Sequence, residues 1–491
     1  MNQSPINIDL SPMIPELTLV GGLLLLLIVD LLAKRNKGII AAVGGSILLF
    51  VLMIITISAE ERVGSYLFGT VIQDGITVFF RLLFCLAGII SLGLMSYRFK
   101  DEGEPHLLIL SCILGMFLLA GANDIIMLFV AIEMVSIPAY VLAGYGRKDM
   151  KSAEASLKYV LYGAVSSGMM LYGFSLLYGI SGATNLPEMA AKLGTVSGTS
   201  LPHVMGLVLV FAGIGYKIAM VPFHFWCPDV YEGSPTAVTA FFSVAPKAAG
   251  FAALLRLMPV YVTLEPTYGV TAVGMITIGS AMTMTLGNLG AIWQDSVKRL
   301  LAYSSIAHAG YLLMGFAVLA AYPEGEIHDL ATAAVMFYLV VYVFMNLGAF
   351  LIVDLVERNF GGEHIKWFRG FGKSSPIPAL ALAVFLFSLI GLPPLAGFIG
   401  KFYLFSALVK GKLFALAIIA IANTVVSLFY YVRLIRDMFL YEAEGNIADQ
   451  VAAGAKLKTL GGILAIVTLI PTLVLGIFWG QLANWIQLKV W

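Results

Sequence analysis

The sequence predicts an all-α polytopic membrane protein. Of its 491 residues, 60% are hydrophobic and 12% are charged, whereas soluble domains carry about 25% charged residues. The hydrophobic residues form long continuous runs, as membrane helices of about 20 residues require. Strands of a membrane barrel would alternate apolar and polar residues instead. This composition excludes a soluble domain, a disordered chain and a β-barrel.

Fourteen apolar segments are candidates for membrane spans. They lie at 14–33, 38–58, 75–97, 106–121, 124–145, 153–180, 203–222, 236–260, 268–290, 300–321, 329–353, 376–409, 412–440 and 459–486. The fourth is short and almost adjoins the fifth. The segment 376–409 is overlong and is broken by Pro393-Pro394. Because proline interrupts helical hydrogen bonding, we interpret it as two half-helices that cross the membrane once.

The distribution of Lys and Arg predicts the orientation of these spans. With the N-terminus outside, 18 of these residues fall on the cytoplasmic side and six on the outer side. We therefore expect both termini on the outer side and an even number of spans. The first sixteen residues lack the basic start of a cleaved signal peptide, so we expect the first apolar run to be retained.

Charged side chains inside apolar spans are the main functional signal, because each costs about 2.5–3.5 kcal/mol at mid-bilayer. The strongest cases are Glu133, Lys217, Lys247 and Lys401. Lys158 also lies in a span, nearer its cytoplasmic end, where a snorkelling side chain or an ion pair is an equal alternative. All of the central cations are lysines, which can lose and regain a proton when buried, whereas arginine stays charged.

Two histidines and one arginine add to this set. His224 follows the helix that carries Lys217, and His308 lies in an apolar run beside Ser304 and Ser305. Histidine suits proton transfer, although a hydrogen-bonded core histidine is an equal alternative. For Arg81, six residues into its span, we expect structural pairing with Asp74 at the outer boundary.

Two spans are interrupted, and each carries one of the lysines. The seventh contains Pro222 shortly after Lys217, and the twelfth contains Pro393-Pro394 before Lys401. Broken spans at matching places indicate inverted repeats. We therefore expect two inverted five-helix repeats, spans 4–8 and 9–13, with broken helices 7 and 12. The expected segments are 1–105 (three N-terminal helices), 106–260 (first repeat), 261–441 (second repeat) and 442–491 (C-terminal helix).

Other chemistry is not indicated. The sequence has three scattered cysteines and no CxxC, phosphate-binding or zinc-protease motif. Its net charge of +1 does not favour a nucleic-acid partner. We expect no metal and no cofactor in this chain.

The chain resembles the antiporter-like subunits of respiratory complex I. The resemblance rests on Glu133 in the fifth span, Lys217 in a broken seventh, Lys247 in the eighth and Lys401 after Pro-Pro in the twelfth. The strings at 155–164 and 298–308 reinforce it, and it covers essentially the whole chain. The chain looks most like the subunit N branch, since subunit M typically has Glu where Lys401 stands and subunit L typically extends further.

This resemblance implies a proton-translocating subunit that handles no electrons. Glu133 and Lys217 would form a switchable ion pair, Lys247 would carry protons centrally, and Lys401 would stand at the outlet. The auxiliary positions would be His224, His308, Lys158 and Glu154. NADH, flavin, iron–sulfur clusters and quinone would belong to other subunits, and the membrane neighbours would be subunit M, the small K- and J-type subunits and lipids of a bacterial plasma membrane.

Two alternatives stay open. The D-type subunit of Mrp cation/proton antiporters shares the core pattern and would act without redox input. A membrane scaffold whose buried pairs only fix helix register would not transport protons at all.

Overall fold

The computed structural model of the protein is almost entirely helical. It describes residues 11–60, 63–146, 149–195, 200–264, 270–443, 448, 451, 454–455 and 459–490. Five basic residues that entered the orientation count lie outside these ranges: Arg62, Arg147, Lys148, Lys456 and Lys458.

In the described part of the first half, the chain forms ten α-helices and one β-hairpin. The helices are α1 (Ile14–Leu32), α2 (Lys37–Ser58), α3 (Gly75–Arg98), α4 (Glu104–Ala120), α5 (Ile125–Ala143), α6 (Met150–Ser181), α7 (Leu186–Thr195), α8 (Leu201–Ile218), α9 (Trp226–Gly233) and α10 (Thr236–Tyr261). Between α2 and α3, strands β1 (Gly64–Tyr66) and β2 (Val71–Gln73) pair in antiparallel register. The sequence analysis did not predict this hairpin or the short helix α7.

The second half continues with helices of similar character. They are α11 (Ala272–Ile292), α12 (Val297–Ala321), α13 (Glu326–Phe360), α14 (Phe371–Ser374), α15 (Pro376–Ile390), α16 (Ala396–Lys410), α17 (Phe414–Leu440), α18 (Thr459–Ile477) and α19 (Gly480–Val490). The predicted extent of the last span, 459–486, is wrong, because the helix ends at Ile477 and a second helix begins at Gly480. The helix that follows turns back onto α3, where Trp485 packs 6.3 Å from the ring of Phe79.

Each of the fourteen predicted spans contains a helix within the part of the chain that the structure describes. Among the described residues, twelve helices are long and apolar enough to cross a membrane, and the two remaining positions are filled by the shorter apolar helices α4 and α15. Local sequence explains several boundaries. Asp74 accepts a hydrogen bond from the Thr77 amide at the start of α3, and Asp124 does the same for Ile126 at the start of α5, as capping residues do.

Both predicted interruptions are present. Helix α8 ends at Ile218, and α9 begins only at Trp226. Helix α15 ends at Ile390, where Gly391 takes a left-handed φ of 91°, and α16 begins at Ala396. Such irregular backbone inside a membrane protein needs protein or a cavity around it. The two-fold relation between spans 4–8 and 9–13 stays a prediction.

Three helices form the centre of the molecule. Of the most apolar 18-residue stretch of each helix, 94% of the residues are buried in α10, α12 and α13, whereas 22% are buried in the stretch that includes α1. Helix α10 packs against α3, α8 and α13, and α13 also packs against α15, α16 and α18. The outer helices expose large apolar side chains along one face, which is the surface expected to meet lipid or other membrane subunits.

The expected pairing of Arg81 with Asp74 is wrong. Arg81 Nη2 lies 2.6 Å from Glu16 Oε1 of α1, and its Nη1 donates to Gln73 Oε1 at 2.6 Å. Asp74 instead receives both guanidinium nitrogens of Arg256 from α10, at 2.6 and 2.7 Å. The reason is geometric: the capping position of Asp74 directs its carboxylate to α10, while Arg81, two turns into α3, faces α1.

Candidate functional site

Four of the predicted residues lie in a buried row inside the helix bundle. Lys217, Lys247, Lys401 and His308 expose 3%, 3%, 4% and 2% of their surfaces. They lie on α8, α10, α16 and α12, which are joined by direct packing of α8 on α10 and of α12 on α10 and α16. None of these side chains faces the lipid surface. Buried ionisable groups in membrane helices typically mark ion or proton pathways.

The row begins at α5. Lys217 Nζ donates to Ser136 Oγ at 2.9 Å, and Ser136 lies one helical turn after Glu133. The Glu133 carboxylate accepts a hydrogen bond from Ser167 of α6. In the described part of the chain, no ion pair joins Glu133 directly to Lys217. The expected ion pair is separated here: Lys217 contacts Ser136 of α5, and Glu133 contacts Ser167 of α6.

Helix α10 connects Lys217 to Lys247. The stem of Lys217 packs against α10 at Gly250, where an added Cβ would lie 3.3 Å from Lys217 Cγ. Gly250 follows Lys247 by three residues on α10. Lys217 therefore packs against α10 about one helical turn after Lys247. Close by in the chain, Trp226 donates from Nε1 to the carbonyl oxygen of Tyr216 at 3.1 Å and stacks on Tyr159 with 4.6 Å between ring centroids.

Lys247 occupies the centre of the row. Its Nζ donates to Ser305 Oγ of α12 at 2.5 Å and lies 3.9 Å from Cys227 Sγ. The amine also lies 5.5 Å from the centroid of the Tyr231 ring, a distance at which the ring face attracts a cation. Among the contacts of the described residues, no carboxylate pairs with Lys247. The Lys247 amine is therefore held by hydroxyl, sulfur and ring contacts rather than by an ion pair.

One face of α12 continues the row. Ser304, Ser305, His308 and Tyr311 follow the spacing that places side chains on one side of a helix. His308 Nδ1 lies 2.5 Å from Tyr338 Oη of α13. His308 Nε2 lies 3.4 Å from Tyr431 Oη of α17, and that hydroxyl also bonds Ser304.

Lys401 ends the row beside the broken helix. Its Nζ donates to the carbonyl oxygen of Ile390 at 2.9 Å, an acceptor at the end of α15 that the interruption leaves without a helical partner. The amine lies 4.5 Å from the centroid of the Tyr311 ring. Gly391 makes room for it, because a Cβ there would lie 3.0 Å from Lys401 Cδ. The Pro-Pro break therefore frees the carbonyl oxygen that accepts the hydrogen bond of this lysine.

A further polar cluster adjoins Tyr311 and was missed by the sequence analysis. Asn288 Nδ2 and Thr424 Oγ1 each lie 3.4 Å from Tyr311 Oη. Tyr430 Oη donates to Asn288 Oδ1 at 3.0 Å. The signal was weak, because single Asn, Thr and Tyr residues in apolar runs are common and their convergence from three helices is a tertiary property.

Lys158 lies outside the row. Its amine contacts Asp229 at 2.6 Å and Glu154 at 2.7 Å, and its side chain is 36% exposed. Asp229 also binds Arg299 at 2.7 Å, and Arg299 binds Glu232 at 2.9 Å. We call these five residues the surface ion network. Glu154 therefore contacts Lys158 directly, but both side chains are partly exposed to solvent.

His224 lies in the segment between α8 and α9. Its ring packs on Phe225 with 4.5 Å between centroids, and it is 8% exposed. Its Nδ1 has no hydrogen-bond partner among the described residues. The side chain is therefore placed beside the first break without a hydrogen bond that joins it to Lys217 or Lys247.

Metal coordination is not supported within the described part of the chain, where no group of three His, Cys, Asp or Glu side chains converges. The buried row consists of lysine amines, serine and tyrosine hydroxyls and the His308 imidazole, which are groups that can exchange protons. The arrangement fits proton transfer along hydrogen bonds.

Comparisons with known proteins identify the family of the chain. Residues 122–427 match the family described as "NADH:quinone oxidoreductase/Mrp antiporter, TM". NADH-quinone oxidoreductase subunit N of Chlorobium chlorochromatii is 42% identical and is aligned over 96% of this chain and 93% of its own length. The subunit N of Anaeromyxobacter sp. is 41% identical over 96% of this chain and 95% of its own length.

Solved structures show the same architecture. A chain of respiratory complex I from Thermus thermophilus superposes with a TM-score of 0.80 at 29% identity, over 96% of this chain and 99% of that one. A chain of the Mrp complex from Dietzia shares the fold with a TM-score of 0.82 at 19% identity, over 98% and 97% of the two chains. The chain therefore belongs to the NADH:quinone oxidoreductase/Mrp antiporter membrane-subunit family, and within it to the subunit N relatives.

Proposed function

We propose that this chain is the proton-translocating membrane-arm subunit N of an NADH-quinone oxidoreductase, and that the buried row carries the protons. The observation that supports this most directly is the burial of three lysines on three neighbouring helices, with Ser136 beside Lys217, Ser305 beside Lys247, and His308 on the same face of α12 as Ser305. The near-full-length similarity to subunit N of several bacteria supports the choice of complex.

Lys217 is the first carrier in this proposal. Its amine alternates between Ser136 and Glu133, which lie one turn apart on α5. When it contacts the Glu133 carboxylate it retains its proton. When it returns to Ser136 the positive charge loses its counter-charge, and the proton is released toward Lys247.

Lys247 passes the proton to α12. The Ser305 hydroxyl accepts from the amine at 2.5 Å, and it can donate its own proton onward in the same step. His308 receives the proton on one ring nitrogen and releases one from the other, because its two nitrogens contact different tyrosine hydroxyls. Lys401 is the outlet carrier, with His224, Lys158 and Glu154 in auxiliary roles near the cytoplasmic side.

Partners supply the driving energy. NADH, flavin, iron–sulfur clusters and quinone are placed on other subunits of the complex, and this chain holds none of them. Its membrane neighbours are subunit M and the small K- and J-type subunits, together with lipids. The chain lies in a bacterial plasma membrane with both termini on the outer side.

The expected segments fit this role. Residues 106–260 and 261–441 form two inverted repeats, each with one broken helix and one of the lysines Lys217 and Lys401. Residues 1–105 and 442–491 flank the repeats and form no part of the row. The row crosses from one repeat to the other through Lys247 and Ser305.

The test replaces Lys401 with methionine in the assembled complex. We expect Lys401→Met to lower NADH-driven proton uptake into vesicles by about tenfold or more, the scale of losing an acid–base group. Lys410→Met is the matched control, because Lys410 lies on the same helix α16 but is exposed. Undiminished proton transport in Lys401→Met vesicles, with normal assembly of the complex, would contradict the proposed relay.

Two further outcomes separate the alternatives. Sodium-dependent acidification by vesicles without NADH and quinone would favour a D-type Mrp antiporter, whose fold this chain shares. Lysine-to-methionine variants that only lower thermal stability and leave transport intact would instead identify the row as a scaffold.

A further inference from the structure

A cavity of about 480 Å³ lies between helices α2, α3 and α18, away from the buried row. Its wall includes Ala42, Val43, Ser46, Gly93, Tyr97 and Lys100. All three helices come from the flanking segments 1–105 and 442–491, so the cavity shares no residue with the proton relay.

The part of the cavity that runs along α2 is lined mainly by apolar side chains. On α2 it runs from Ile39 to Ile47, which is about 12 Å along the helix axis. Ala42 and Gly93 are small lining residues, and Gly93 also packs against Leu464 of α18. Val43 is 55% exposed and borders the opening toward the outer surface of the bundle. These dimensions and walls suit a hydrocarbon chain lying along the helices.

The polar end of the cavity is cationic. Lys100 follows α3 and lies beside the start of α2, since its carbonyl accepts from the Ile39 amide at 3.3 Å. Its amine forms no ion pair with any residue the structure describes. The neighbouring carboxylate of Asp101 is directed elsewhere and accepts from the Asn36 amide at 3.2 Å.

A second cation borders this end. The Arg358 guanidinium lies 4.8 Å from the centroid of the Tyr97 ring, and Tyr97 lines the cavity. Arg358 is partly neutralised by Asp354, whose carboxylate lies 2.8 Å away. An uncompensated lysine beside a second cation, at the mouth of an apolar cavity, is the pattern by which membrane proteins hold anionic phospholipids.

We propose that this cavity binds one anionic phospholipid, with an acyl chain along α2 and α3 and the phosphate on Lys100. The charge of the polar end favours a phosphatidylglycerol-type headgroup over a zwitterionic one. The lipid would join α18 to the α2–α3 pair, which otherwise leaves this cavity open. The site does not depend on the proposed function, because none of its residues belongs to the row.

Lipid retention by the purified complex tests the site. We expect the complex, washed in detergent and supplied with phosphatidylglycerol or phosphatidylcholine, to retain phosphatidylglycerol preferentially, as measured by mass spectrometry of the extracted lipid. Lys100→Gln should reduce that preference by about fivefold, the effect of one lysine near an anionic surface. Lys34→Gln is the control, since Lys34 is exposed and does not line the cavity.

A second variant keeps the test independent of charge. Val43→Trp fills the opening and should lower retention of both lipids, while Ile54→Trp, at an exposed position of the same helix, should not. Equal retention of the two lipids by the unmodified complex, or unchanged retention in Val43→Trp, would overturn the site. A photo-crosslinker at position 43 that captures another polypeptide rather than lipid would assign the cavity to a protein partner and overturn it as well.

Discussion

Lys247 of α10 and Ser305 of α12 are joined by a hydrogen bond of 2.5 Å between Nζ and Oγ. This contact joins α10 to α12: Lys217 of α8 packs against α10 at Gly250, one turn after Lys247, and Ser305 shares a helix face with His308. A serine hydroxyl both accepts and donates a hydrogen bond, so it can pass a proton in a way that an apolar neighbour cannot.

Replacing this serine should impair proton transport without unfolding the chain. We expect Ser305→Ala to reduce NADH-driven proton pumping severalfold, because the Lys247 amine loses its hydroxyl partner. Ser305→Thr keeps the hydroxyl and should retain more activity. Ser175→Ala, on the exposed part of α6, serves as control. Equal pumping by the alanine and threonine variants would argue against transfer through this hydroxyl.

The buried pair of Arg81 and Glu16 should be a stability determinant. Their side chains are 1% and 4% exposed, so Arg81→Met leaves the Glu16 carboxylate uncompensated. We expect a loss of about 3–5 kcal/mol in the free energy of unfolding, measured by denaturant titration in detergent. Adding Glu16→Gln should recover part of this loss. A double variant less stable than Arg81→Met would contradict the pairing.

Asp74 should make stability depend on acid pH. Burial acts to raise the pKa of Asp74, but the charge and hydrogen bonds of Arg256, with those of Thr77, outweigh it and hold the pKa below its ordinary value. A carboxyl with a lower pKa in the folded state stabilises the fold above its unfolded pKa, about 4. That contribution is lost as the pH falls through the folded pKa.

The comparison with Asp74→Asn isolates this effect. Near neutral pH the unmodified chain should be more stable than the variant by a constant margin, as judged by thermal unfolding. Below about pH 4 the margin should shrink. A margin that stays the same or widens in acid would show that the Asp74 carboxylate is not preferentially stabilised by Arg256.

Lys158 should matter less than the buried lysines. It belongs to the surface ion network, and exposed ion pairs contribute about 0–1 kcal/mol. We expect Lys158→Met to change the free energy of unfolding by no more than that and to retain most proton pumping, whereas Lys217→Met loses most of it. Vesicle acidification under matched protein loading compares the two. A loss in Lys158→Met as large as that in Lys217→Met would place Lys158 within the relay.

The sequence by itself determined the helical membrane-protein class, the approximate places of the apolar helices, the two helix breaks, and the presence of Lys217, Lys247 and Lys401 inside apolar runs. These follow from local properties: apolar runs of membrane length, proline inside a run, and charge where solvation is costly. The resemblance to complex I subunits rested on the same residues and is confirmed by the subunit N relatives.

The tertiary structure alone decided which side chains meet. In the folded chain Lys217 contacts Ser136 while Glu133 contacts Ser167. Arg81 pairs with Glu16 rather than with Asp74, and Lys158 lies among surface charges. The fold also brings Tyr338 and Tyr431 to His308. These partners come from helices far apart in the chain, and their meeting depends on how each helix is rotated and packed, which hydrophobic runs of nearly uniform composition do not specify.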